Sequence, residues 1–432
     1  MEKKLKDALN GGVFTFFIDM FDIYLPIIVL APALAYFEPS KLAPVYAFAI
    51  IYATLAATLL GRPVGTVLFG NYADTQGRKK ATQTAVIMAA IFTFLILLLP
   101  GYYSLGLFAI SLLLIFRFIV GVFLGGMYTG ASPLAMEYSP KNKRGVYGAL
   151  LNIGYPFAFA LISFISFPLL SKFPAVSPSS TYDVWIWRIP FLFESVLLLI
   201  LYLYYKKIVP ESEIWKESKK YKSPVKEVIF GNQSHQFWQV FVLMTGFWFG
   251  LLTIVSSIGS ISENFVKLSP INYLLFIGIS AIIGGLLLIP WGMMSQKIGR
   301  KKTLVLGGVI FLLGVPFYYA FIKYGHSWDH AAIFLSILFL WLISDLGFSG
   351  TVTAYINERF KTGTRSSGYG MGYTWGVIIP SFSSFFVIWL SYIMPAKYAE
   401  TLPLLFLGGI LVIIGALLGP ETVNIDFEKT IE

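Results

Sequence analysis

Of the charged residues that lie in runs otherwise apolar, Arg62, in AFAIIYATLAATLLGRPVGTVLF, is a charge within a helix, and five others are candidates for chemistry. Asp19 and Asp22 fall in the first apolar segment. Arg117 sits inside LFAISLLLIFRFIVGVFLGG, Glu194 inside IPFLFESVLLLILYLYY and Asp345 inside IFLSILFLWLISDLGF. A charge near a bilayer centre costs at least about 2.5–3.5 kcal/mol on insertion scales, so such residues face a cavity or a partner and are functional by default. The chemistry available to them is proton exchange and anion binding. Burial disfavours the charged form of a carboxylate and a nearby Arg favours it. Asp22, moved between two such settings, would take up and release a proton. Asp19 is one turn away on the same face. The three histidines, His235, His326 and His330, fall in loops or at helix ends, which leaves carboxylates as the proton carriers. The alternative is a permanent ion pair that only fixes two helices.

These charges need twelve membrane helices to position them. The chain has 432 residues, 57% of them hydrophobic and 12% charged, against about 25% charged in soluble domains. Apolar runs of about 20 residues predict spans at roughly 12–36, 43–69, 81–100, 104–130, 145–171, 183–206, 237–266, 271–295, 303–323, 330–356, 365–394 and 398–419. The interval 207–236 divides an N-terminal six-helix bundle (1–206) from a C-terminal one with a short tail (237–432). With both termini inside, 24 of the 32 Lys and Arg lie on the inner face and six, Lys41 among them, on the outer. That asymmetry predicts a multi-pass plasma-membrane protein with cytoplasmic termini. It also explains the net charge of +10 as topological, so no nucleic-acid partner is expected. The opening residues lack an apolar core followed by a cleavage site, which predicts no removable signal peptide. With no cysteine there is no thiolate metal site or cysteine nucleophile.

The halves repeat. Gly77-Arg78-Lys79-Lys80 returns as Gly299-Arg300-Lys301-Lys302, and Glu137 and Arg144 as Glu358 and Arg365. A parallel six-helix repeat is a transporter construction with its substrate site near the midplane. The pattern Gly70, Asp74, Gly77, Arg78, Lys79, Lys80 resembles the helix 2–3 loop motif of the major facilitator superfamily. RFIVGVFLGG from Arg117 is similar to its helix 4 motif. GRPVGTVLFG, EYSPKNKRG, and WRIPFLF followed by VPES are similar to the metabolite:proton symporter branch. The chain departs from that branch at Met127, where Glu usually follows the two glycines, and it lacks the helix 7 pattern of sugar porters. Gln296 stands where the first copy has Asp74.

The resemblance implies an all-α membrane protein of two six-helix pseudo-repeats, with helices 1, 4 and 10 lining the cavity and helix 6 peripheral. Asp22 and Asp19 become candidates for proton coupling. Arg117 could hold Asp22 in one state and a substrate carboxylate in another. Asp345, Glu194, Asn152, Tyr155, Trp248, Trp341 and Trp375 are further candidates for the substrate site, although Glu194 could simply brace a neighbour and most aromatics in such a chain are packing or interface residues. In the latch, the loop acid Asp74 would accept bonds from the N-terminus of helix 11, Arg78 would pair with Glu137, and Arg300 with Glu358. Gly70, Gly77, Gly299, Arg144 and Arg365 complete it. Lys79, Lys80, Lys301 and Lys302 read better as topology signals. The expectation is a transporter, not an enzyme, working as a monomer in the lipid bilayer. It would move a small molecule, an organic acid above all, with protons and no cofactor. A proton-independent facilitator or exporter of the same fold is the alternative.

Overall fold

The structure is a computed structural model that describes residues 2–38, 44–348 and 350–430. Lys41 and the first residue of the expected second span lie outside that set. Among the described residues eleven helices are long and apolar enough to cross a membrane, and His330–Leu346 is a twelfth, shorter apolar helix. In chain order, helix 1 is Glu2–Tyr24 with an irregular continuation to Tyr36, helix 2 Pro44–Gln76, helix 3 Arg78–Leu97 and helix 4 Leu107–Glu137. Helix 5 is Arg144–Asn152 plus Gly154–Lys172, and helix 6 Arg188–Lys207. Helix 7 is Ser234–Asn264, helix 8 Pro270–Ile298 and helix 9 Arg300–Tyr324. Helix 10 is His330–Phe348 plus Val352–Arg359, helix 11 Arg365–Trp375 plus Ser383–Ser391, and helix 12 Leu402–Leu418.

Three expectations change. Helix 2 runs past residue 69 to Gln76, so Asp74 is on its last turn and not in a loop. The connection to helix 3 is Gly77 alone, at φ 117°. Gly299 makes the same junction between helices 8 and 9 at φ 100°. A side chain in that region of φ is strained, which is why glycine stands at both points. Helix 4 ends at Glu137, well beyond 130. The expected single spans 330–356 and 365–394 are each broken, the second at Gly376–Phe382 around Pro380. Helix 1 also loosens, into a π-turn at Leu25–Leu30 beginning beside Pro26. Irregular backbone survives at membrane depth only where protein or a cavity covers it.

Helix 2 packs on helices 4 and 11, helix 5 on helix 8, helix 1 on helices 4 and 5, and helix 7 on helices 10 and 12. Helices 2 and 4 meet through small residues. A Cβ on Gly65 would lie 1.9 Å from the Val122 carbonyl oxygen, and one on Gly121 would lie 2.2 Å from that of Thr58. In lipid, where apolar burial gives helices little reason to associate, such close backbone approach is the source of affinity. Gly65→Val should therefore cost more than the roughly 1–3 kcal/mol of ordinary overpacking. It should lower the melting temperature in detergent sharply. Gly259→Ala, which meets only the edge of the Tyr273 ring at 3.2 Å, should leave it within a degree or two, about 1 kcal/mol or less. Equal shifts would contradict the packing described.

Candidate functional site

The intramembrane charges converge. Arg117 of helix 4 grips Asp22 of helix 1 with both arms, Nη1 to Oδ1 at 2.6 Å and Nη2 to Oδ2 at 2.9 Å. The same Nη2 also donates to the Asp22 backbone carbonyl at 3.1 Å. That carbonyl would ordinarily receive the N–H four residues on, but residue 26 is proline and has none. Arg62 of helix 2 treats Asp19 alike, Nη1 to Oδ2 at 2.9 Å and Nη2 to the Asp19 carbonyl at 3.1 Å. All four side chains are fully buried. Asp19 is thus part of a dry pair. Arg62, which sequence reasoning left as a charge within a helix, is its counterion. The signal was its position in an otherwise apolar run.

Helix 6 exposes Ile189, Leu192, Val196, Leu199, Ile200 and Leu203 on its outer face, while Glu194, on its inner face, is fully buried. Glu194 lies against Asp22 and within electrostatic reach of Arg117 and Asp19, and no donor of standard geometry reaches its oxygens. The cluster thus holds three carboxyl groups and two guanidinium groups.

Other candidates sit around it. Asn152 accepts a hydrogen bond from the Thr353 hydroxyl at 3.0 Å, joining helix 5 to helix 10. Tyr155 stacks on Trp341, ring centroids 5.6 Å apart and planes 7° from parallel, and its hydroxyl is 3.2 Å from that of Ser344. Trp248 donates its indole N–H to the Tyr373 carbonyl at 2.8 Å, tying helix 7 to helix 11. Trp375 is only half-buried and packs on Phe237 at 5.5 Å. Asp345 is fully buried in helix 10 beside Trp341.

At the end of the bundle that carries both described chain ends, the repeated motifs interlock. Asp74 accepts the backbone N–H groups of Ser366 at 3.0 Å and Ser367 at 2.8 Å, the first turn of helix 11. Helix N-termini favour anions in this way. Gly70 makes the approach possible, since a Cβ there would lie 2.9 Å from the Ser367 Cα. Arg78 bridges Asp74 at 2.8 Å, Glu137 at 3.0 Å and the Thr362 carbonyl at 2.7 Å. Arg365 adds a 2.7 Å bond to the same Glu137 oxygen. In the second copy, Gln296 accepts one backbone N–H, that of Gly145 at 3.0 Å, and an Arg300 N–H at 2.8 Å. Arg300 pairs with Glu358 at 3.2 Å.

Arg144 departs from its counterpart. It donates to the Ile425 carbonyl at 2.7 Å, and its guanidinium carbon is 3.5 Å from the centroid of the Phe427 ring. Arg365 lies 3.9 Å from that ring. Sequence reasoning missed Phe427, whose one signal was the alternation of Val423, Ile425 and Phe427 with polar residues. It also missed a second echo, Pro210-Glu211-Ser212 and Pro420-Glu421-Thr422. Glu211 accepts the N–H groups of Arg78 and Lys79 that open helix 3. Glu421 does the same for Arg300 and Lys301 at helix 9. Ser212 and Thr422 donate to Glu137 and Glu358. Burial leaves Glu211 above the usual carboxylate pKa despite its donors. Burial pushes Glu421 up too, yet the N–H groups of Val423, Arg300, Lys301 and Thr422 hold it below.

The sequence profile of the Major Facilitator Superfamily matches residues 12–384. An inner membrane metabolite transport protein of Escherichia coli K12 is 31% identical over 347 residues, 78% of this chain and 77% of the relative. A glycine betaine/proline/ectoine/pipecolic acid transporter of Dickeya dadantii is 29% identical over 368 residues, 80% of this chain and 71% of the relative. Among solved structures, a proton:xylose symporter bound to a bromo-deoxy-glucose superposes with a TM-score of 0.71 at 16% identity, over 98% of this chain and 97% of the other, a likeness of fold. The twelve-helix architecture, the doubled motifs and the profile match across most of the length agree: the chain belongs to the Major Facilitator Superfamily and is a multi-pass membrane transporter of metabolites or related solutes.

Proposed function

We propose that this transporter imports a small organic acid together with protons by alternating access. Helices 1–6 (residues 1–206) and 7–12 (237–432) move against each other about the linker 207–236. The protein works as a monomer in the plasma membrane with both termini in the cytoplasm, on the side to which 24 of its 32 Lys and Arg are assigned.

The observation that carries the reading is the Asp22–Arg117–Glu194 contact. Two guanidinium groups neutralise two of the three buried carboxylates, and a proton is the charge that balances the third. Carboxyl groups in contact cannot both stay ionised cheaply. The fork of Arg117 fits any carboxylate in the bidentate manner it now fits Asp22. A proton on Asp22 weakens its hold on Arg117 and frees that fork for the carboxylate of a substrate. When the substrate leaves, Asp22 returns to Arg117 and its proton departs. Substrate and proton thereby travel together, and no guanidinium stands unpaired. The acids carried by the Dickeya dadantii relative, among them proline and pipecolic acid by name, support this class of cargo. A facilitator of neutral solutes would have no use for the surplus carboxyl group.

The bonds among Asp74, Arg78, Glu137, Arg365, Gln296 and Arg300 support reading the repeated motifs as a latch, closed here, at the cytoplasmic end. Its opening would break the bonds of Asp74 to helix 11 and those of Gln296 to helix 5. The two copies differ, because Asp74 offers a full charge to two backbone N–H groups and Gln296 a neutral oxygen to one.

Two measurements follow from this reading. In proteoliposomes, Asp22→Asn should cut acid uptake driven by an inward proton gradient by about tenfold or more, the factor that 1.4 kcal/mol represents. It should retain exchange of external for internal substrate without a gradient. Unchanged gradient-driven uptake would remove Asp22 from coupling. From the size of helix-terminus charge effects, Asp74→Asn should slow uptake roughly threefold to tenfold and Gln296→Ala by less than about twofold. Comparable losses would refute the inequality of the two latches.

A further inference from the structure

Asp345 belongs neither to the proton cluster nor to the latch. It is fully buried in helix 10, and neither oxygen has a hydrogen bond of standard geometry. No ion pair reaches it among the described residues. The donor beside it is the indole N–H of Trp341, one turn earlier, which has no standard hydrogen bond of its own. The carboxylate lies on bare helix 8 backbone: a Cβ on Gly284 would sit 2.0 Å from Asp345 Oδ2 and 2.8 Å from the Trp341 ring. An acid left without a cation at this depth is costly. Among the described residues of helices 1, 5, 8 and 10, no lysine or arginine makes an ion pair with it.

What surrounds it is aromatic. Tyr24 of helix 1 and Tyr155 of helix 5 are both within electrostatic reach of Asp345. Tyr24 meets Phe159 edge-on at 4.5 Å, Phe159 meets Trp341 at 4.6 Å, and Trp341 stacks on Tyr155. Ring faces attract cations, most of all alkylated ammonium groups, whose charge is spread and weakly hydrated. A carboxylate among such faces, with no protein cation to satisfy it, has the chemistry of an ammonium receptor. Its sign is opposite to that of Arg62 and Arg117 in the proton cluster.

We propose that Asp345, walled by Tyr24, Tyr155, Phe159 and Trp341, is a subsite for a cationic nitrogen on the transported acid. The substrate is then a zwitterion, an acid whose secondary or quaternary ammonium engages Asp345. This rests on the acid-transport reading above and narrows it. In the closed arrangement the rings fill the subsite themselves. A cation enters when helices 1 and 5 part from helices 8 and 10, the same separation of halves that transport requires.

The test compares glycine betaine with tert-butylacetate, which has the same shape and carboxylate but carbon in place of the cationic nitrogen. Both are measured by thermal shift and calorimetry on the full-length protein, since a ligand of the folded state raises its melting point. Betaine should bind wild-type protein about tenfold or more tighter than tert-butylacetate, the scale of one desolvated cation–π and charge contact. Asp345→Asn and Trp341→Leu should erase that preference while leaving the binding of tert-butylacetate in place, which also shows that the variants are folded. Equal binding of the two acids, retention of the preference in Asp345→Asn, or no betaine binding overturns the subsite. If tert-butylacetate binds and proton-driven acid uptake persists, the subsite fails and the acid-transport reading stands. If neither acid class binds or moves with protons, that reading fails as well.

Discussion

A guanidinium buried among hydrocarbon must be met by a carboxylate, and the arrangement of this protein follows from that requirement. Removing one partner of a buried pair costs about 3–5 kcal/mol, because the other charge is then stranded. Arg62 and Arg117 can therefore exist at membrane depth only because helix 1 presents Asp19 and Asp22 to them. The pairs fix helices 1, 2 and 4 together while leaving one exchangeable element. A carboxylate of any origin, or a proton on Asp22, alters which group the fork of Arg117 holds. Structure and proposed function share this interaction: the pair that makes the helix bundle tolerable in lipid is the pair whose exchange would drive the cycle.

The proposed latch obeys the same rule at the other end of the molecule. Arg78 and Arg365 converge on one Glu137 oxygen, and Asp74 joins them to helix 11. Pseudo-symmetry supplies the frame, but the copies are unequal. Gln296 has lost the charge of Asp74, and Arg144 has exchanged a carboxylate for the Ile425 carbonyl and the face of Phe427. The linker and the tail brace the two copies alike, Glu211 and Glu421 each closing the N-terminus of a helix that begins one residue after a left-handed glycine.

Much of this was legible in the sequence. Apolar run lengths predict twelve spans and the repeated Gly-Arg-Lys-Lys predicts two halves, because span length and loop charge are local properties. Asp22 and Arg117 stood out because charge in an apolar run is rare. Partners across helices were less legible. Arg62 belongs to Asp19 through the packing of helix 2 on helix 1, and no sequence spacing encodes that distance. Glu194 reads as a bracing residue from its helix number, yet its turn faces Asp22. The breaks in helices 10 and 11 escaped hydropathy, which counts carbon and does not see where a buried backbone can afford to bend. The tail residue Phe427 ends a three-residue alternation with Val423 and Ile425, too short to say what it packs against.

The central claim is that three carboxyl groups facing two guanidinium groups hold one proton between Asp22 and Glu194. Infrared difference spectroscopy on the protein in lipid at neutral pH reads it directly through the carbonyl stretch of a protonated carboxyl group. The account predicts such a band in the wild type, shifted in heavy water and smaller by one protonated carboxyl group in Glu194→Gln, where two carboxylates balance two guanidinium groups; any band of the unpaired Asp345 stays in both. A wild-type spectrum in which Glu194→Gln removes no protonated carboxyl group would contradict it.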